Sequence, residues 1–127
     1  MNQADDRGQQ PREWLSVDVE RLPGGDIVVR VYCELRGPGI AVLRDTVAAK
    51  LARWPRLLVL DLSGVTGIDV DGVDALAALA AMAGEPDIAF CLVLSTGGVV
   101  EAGIATAHLT ELFDIFPSVT AALQDYR

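Results

Sequence analysis

The chain of 127 residues has one histidine, two cysteines, and only ten Lys and Arg against eighteen Asp and Glu. His108 stands among Thr and Ala with no Cys or Ser partner in its neighbourhood, so it reads as a solvent-facing residue and no Cys-His or Ser-His pair is legible. An enzyme is not expected. Neither a Gly-x-Gly-x-x-Gly turn nor a P-loop lysine is present, which removes the usual phosphate-cradling motifs. Cys33 and Cys91 have no metal-ligand spacing and lie inside apolar runs, as small buried hydrophobes do. No metal or cofactor is therefore expected. No stretch approaches the ~20 uncharged apolar residues of a membrane span, so membrane insertion is not expected either. The net charge of -8 and the scattered cations exclude a basic stripe, hence no nucleic acid is expected as partner. An acidic surface suits a protein with a basic patch, or serves solubility alone.

What the chain does contain is a 51% hydrophobic composition, enough for one domain with its own core. The start, Met1 to Arg12, is polar and lacks the apolar core of a signal peptide. It reads as a loose tail (1–12) before a domain at 13–127, in a cytoplasmic protein. Leu15, Val17 and Val19, then Val29, Val31, Cys33 and Leu35, alternate with polar residues on either side of Pro23-Gly24-Gly25-Asp26, which predicts a hairpin. Leu43, Val47, Leu51 and Trp54 recur at helical spacing, and Pro55 stops the helix.

Leu57-Leu58-Val59-Leu60 is apolar on both faces, as a central strand is. Val73, Leu76, Leu79, Ala80 and Ala83 mark one face of a second helix closed by Gly84 and Pro86. A strand from Ile88 to Leu94, a weak helix from about Val99 to His108, a short strand at Phe113–Phe116 and a helix capped by Ser118 complete the order. Alternating strands and helices predict an α/β sandwich with a largely parallel sheet.

The segment between the central strand and the second helix reads Asp61-Leu62-Ser63-Gly64-Val65-Thr66-Gly67-Ile68-Asp69-Val70-Asp71-Gly72. Asp61 is read as ordering the Asp-Leu-Ser-Gly turn through backbone amides, and Thr66 as a loop residue. A phosphoacceptor receiver would need a further acidic pair after the first strand to hold magnesium. Here that strand ends in Glu20-Arg21-Leu22 before a hairpin. Asp69 and Asp71 precede the second helix, and Asp71 reads as its N-cap, favoured there by the helix dipole by about 0.3–1 kcal/mol. Ser95-Thr96-Gly97-Gly98 has the composition of a small anion nest.

The stretch from Leu57 to Leu79 closely resembles the signature of the STAS domain, the fold of anti-sigma factor antagonists. From Trp14 to Tyr126 the element order is that of the family, and Leu112-Phe113-Asp114-Ile115-Phe116-Pro117-Ser118-Val119 with Ala121-Ala122-Leu123 resembles its ending. The resemblance implies a STAS-like α/β sandwich, a mixed, largely parallel sheet of about five strands with about four helices, beginning with a β-hairpin. Cys33 and Cys91 would then sit on strands separated by a third, roughly 9–10 Å apart and beyond the ~7 Å reach of a disulfide.

In the family the turn usually reads Asp-Ser-Ser-Gly, and a partner kinase phosphorylates the second serine to switch binding off. That position is Asp71 here, a permanent single charge against roughly -1.5 to -2 for a phosphate. The implied partner is an anti-sigma factor of the histidine-kinase-like ATPase type, whose capture frees a sigma factor for transcription. The implied partner face comprises Glu34, Leu35, Arg36 and Gly37, with Asp69, Val70, Asp71, Gly72, Val73 and Asp74 and the exposed side of the second helix. Where many members read Gly-Glu-Leu-Asp, this chain has Cys33-Glu34-Leu35-Arg36. Arg36 and Asp71 are therefore expected to approach and compensate each other. A missing serine also permits an accessory STAS subunit of a lipid-transport ABC complex or a stressosome-like assembly. Self-association is left open.

Overall fold

The two alternating runs at the start pair as antiparallel strands, β1 (Ser16–Arg21) and β2 (Asp26–Leu35), with Val17 opposite Val31 and Val19 opposite Val29. Gly24 and Gly25 turn the chain between them at φ 93° and 97°, a region that glycine enters without cost. The computed structural model describes residues 15–126. The expected tail at 1–12, and Trp14 where the resemblance begins, lie outside the described residues.

The remaining elements are α1 (Pro38–Leu51), β3 (Leu57–Ile68), α2 (Val70–Gly84), β4 (Ala89–Val93), α3 (Val99–Thr106), β5 (Ile115–Phe116) and α4 (Val119–Asp125). They form a five-stranded mixed sheet in the order β1-β2-β3-β4-β5, parallel from β2 onward. The period of two along β2 and β3 divides their apolar side chains between two cores. Ile27, Val29, Val31, Leu58, Leu60 and Leu62 face the core shared with α1, α2 and α3, while Val28, Leu57 and Val59 face Cys91, Val93 and Ala122 on the α4 side. Burial on both faces is the reason Leu57–Leu60 reads as an unbroken apolar run. Ser118 caps α4 by accepting from Ala121 N (3.0 Å).

Several expectations are corrected. The turn at 61–64 is strand: β3 continues for 12 residues to Ile68 because β2 is long enough to pair with it. Register slips twice, between Arg30 and Tyr32 and between Cys33 and Glu34, so that β3 carries the extra residues as bulges. Asp61 does accept from Ser63 N (3.0 Å) and Ser63 Oγ (2.7 Å), within the first bulge. Thr66 is an exposed strand residue. Cys33, at the second bulge, is half-buried with φ 72°, and both cysteines are free. Trp54 leaves α1 at φ 55° and is 68% exposed, outside the buried row of Leu43, Val47 and Leu51. The last strand shrinks to Ile115–Phe116, preceded by a 3-10 turn at Thr110–Leu112. No described helix is long and apolar enough to cross a membrane.

Candidate functional site

Parallel pairing sets the site. Glu34 lies opposite Gly67 and Leu35 opposite Ile68, so the loop leaving β2 and the loop leaving β3 emerge side by side. Leu35 is buried, Arg36 is exposed, and Gly37 turns the chain at φ 58° into Pro38, the first residue of α1. Glu34 rests along Gly67, where a Cβ would come within 3.2 Å of Glu34 Cγ.

On the β3 side, the N-cap of α2 is Asp69, whose Oδ1 accepts from Gly72 N at 2.8 Å. The reading of Asp71 as cap is corrected: two residues further on, its backbone is already helical, and its exposed side chain lies in the first turn. The charge still benefits from the four amides at the helix start that lack intrahelical partners. Gly72 is buried because α2 begins against the end of β2; a Cβ there would collide with Leu35 O and lie 2.7 Å from Ile68 Cγ1. Val73 is buried behind it, whereas Val70 (69% exposed) and Asp74 face out.

The expected compensation between Arg36 and Asp71 is not formed. Arg36 Nε donates to Glu34 Oε1 at 2.7 Å, and no ion pair joins it to Asp71 among the described residues. A bond to a side chain two residues back in sequence claims the guanidinium before it can reach across to α2. Likewise the expected nest at Ser95–Gly98 is filled from within, since Gly97 N donates to Glu101 Oε1 at 2.7 Å. Among the described residues, no three His, Cys, Asp or Glu side chains converge as a metal site.

Two recesses flank the corner at Asp69, which lines both. One, of about 550 Å³, lies between Glu34, Arg36–Gly39, Val42 and Leu15. The other, of about 520 Å³, lies between α2 and α3 and is walled by Ile68, Val70, Val73, Val99, Ala102 and Gly103. Of the ten residues expected on the partner face, seven (Glu34, Arg36, Gly37, Asp69, Val70, Asp71 and Asp74) are at least partly exposed around this corner. Leu35, Gly72 and Val73 are buried and act by fixing its form.

The α3 wall is absent from the sequence reading. Its signal is Gly103, which permits close approach: a Cβ would sit 3.2 Å from Val73 Cγ2 and 3.3 Å from Ile68 Cγ2.

Among the described residues this arrangement offers backbone amides, carboxylates and apolar walls. It is suited to holding a protein surface. Residues 16–122 match the STAS domain. The chain belongs to the STAS domain family. Among solved structures, it is similar to an anti-sigma factor antagonist from Mycobacterium paratuberculosis at 25% identity, with 92% of this chain and 97% of that one covered and a TM-score of 0.78. The unphosphorylated anti-sigma factor antagonist SpoIIAA shares the fold at 12% identity, with 87% and 95% covered and a TM-score of 0.71. So does the murine anion transporter Slc26a9, at 20% identity and a TM-score of 0.70, where 97% of this STAS chain covers 24% of the transporter. No curated protein matches the chain.

Proposed function

We propose that this STAS protein is an anti-sigma factor antagonist of the non-enzymatic, cytoplasmic kind, and that it binds an anti-sigma factor of the histidine-kinase-like ATPase type through the corner at Asp69–Asp74. The observation that carries the reading is that Asp69 holds the cap and leaves Asp71 exposed in the first turn, unbound among the described residues. A side chain with no structural hydrogen bond to keep is available to a partner. In place of a serine that would be switched between neutral and phosphorylated, Asp71 presents a constant single charge. That charge mimics the phosphorylated state only in part.

Asp71 therefore weakens, without abolishing, capture of the anti-sigma factor, and sigma-factor-dependent transcription is tuned rather than switched. Wild type, Asp71→Ser and Asp71→Ala can be compared in pull-downs from the host lysate, with retained proteins identified by mass spectrometry. A kinase-type anti-sigma factor retained more strongly by Asp71→Ser, with binding that falls when ATP is supplied, is the expected result. Transporter or stressosome components recovered equally by all three would replace this reading with that of an accessory subunit.

A further inference from the structure

The described cations, scattered in sequence, are partly gathered in space, while exposed Arg44, midway along α1, stands apart with no ion pair among the described residues. Arg30, Arg36 and Arg56 are taken up by ion pairs with Glu20, Glu34 and Asp26. Arg21, Lys50 and Arg53 form none among the described residues, and all three line one small recess floored by Val19 and Ile27. Each has a local use. Arg21 guards an edge strand, and Lys50 and Arg53 sit where the C-terminal dipole of α1 favours positive charge. Neither use accounts for their meeting around one recess that no carboxylate lines. On the other side of the α1 terminus, Trp54 borders a recess of about 550 Å³ with Leu51, Met82 and Pro86, where Glu85 is the one carboxylate of the lining.

The opposite end of α1 has the complementary character. Asp69 lines a recess with Pro38 and Val42 of the first turns, and near it stand exposed Val70, Asp71 and Asp74, again without ion pairs among the described residues. At 1.5 Å per residue the 14 residues of α1 hold the two ends about 20 Å apart. One molecule thus cannot bring them together, but two can.

We propose that a second copy of this chain docks head to tail, its Asp71, Asp74 and Val70 meeting the Arg21, Lys50, Arg53 and Trp54 end of the first. The contact is heterologous and leaves one free end of each kind, so it extends into short open chains rather than closing as a symmetric dimer. With few charges and one apolar anchor on each side, it is a weak, concentration-dependent association. Its consequence, resting on the function proposed above, is that self-docking covers the partner face and holds concentrated protein in reserve.

Sedimentation of the purified chain alone provides the test. The weight-average mass should rise above 13.5 kDa with concentration. Raising the ionic strength from about 0.1 to about 1 M, which shortens the Debye length from about 10 to about 3 Å, should lower it again. Lys50→Glu with Arg53→Glu, and separately Asp71→Lys with Asp74→Lys, should each remain monomeric, and an equimolar mixture of the two variants should regain mass. Circular dichroism verifies that both are folded. A wild type that stays at 13.5 kDa throughout, or association that survives in both charge variants, would overturn the proposal. Because no partner enters the experiment, its failure leaves the anti-sigma reading untouched.

Discussion

Asp69 and Asp71 are two residues apart and chemically identical, yet the backbone gives them different work. Asp69 is extended and its side chain accepts from Gly72 N; Asp71 is helical and its side chain bonds nothing among the described residues. Asp69→Ala should therefore cost about 0.5–2 kcal/mol in urea unfolding, the usual loss for an N-cap. Asp71→Ala should cost distinctly less, since only a dipole interaction is lost. Equal losses would show that both share the cap. A second contrast of identical residues separates the cysteines. Burial pushes the Cys91 thiol from 9.0 up to about 12, with smaller contributions from Asp114 and Asp125. The folded state thus keeps a proton that the unfolded chain gives up above about pH 9, so the stabilisation is complete below pH 9 and is lost as pH rises towards 12. Tyr126 titrates in the same sense, held up by burial and by its bond to Asp114. In native protein at mildly alkaline pH, a thiol reagent should modify half-buried Cys33 and spare Cys91 until denaturant is added.

At the scale of elements, the start of α2 is placed by Gly72, which lets the helix begin in contact with the end of β2. Gly72→Ala should lose about 1–3 kcal/mol through overpacking, measured by denaturant titration. Gly84→Ala, at the far end of the same helix with open space around it, should lose nothing. Similar effects at both positions would mean that the close approach is not what glycine serves. Alternation in β2 and the two-faced apolar run of Leu57–Leu60 made the strands legible, and the small residues of the Asp61–Gly72 segment made the family legible. What could not be read depended on pairing between distant segments. The extension of β3 to Ile68 needs β2 as a template, and its bulges are a property of the pair. Trp54 continued a helical spacing but falls beyond the last turn, where a left-handed residue turns it outward. Arg36 pairs with Glu34 and not Asp71, a competition between two acids that residue types alone do not decide.

On the scale of the whole molecule, the sheet separates the jobs of its two faces and α1 separates the two ends. α4 closes one face, and Asp26, Arg56 and the Tyr126 carbonyl tie the starts of β2 and β3 to its end. The other face carries α1, α2 and α3, whose upper ends frame the recesses at Asp69. An acidic, partly apolar corner stands at the C-terminal ends of the interior strands β2 and β3, where the proposed function sets the charge of Asp71 against a partner. Isothermal titration of a purified kinase-type anti-sigma factor from the same organism into wild type, Asp71→Ser and Asp71→Ala tests this most directly. The expected result is measurable binding by wild type and several-fold tighter binding by both variants, with only the serine variant losing affinity after incubation with ATP; absence of binding by all three, or equal affinities, would contradict it.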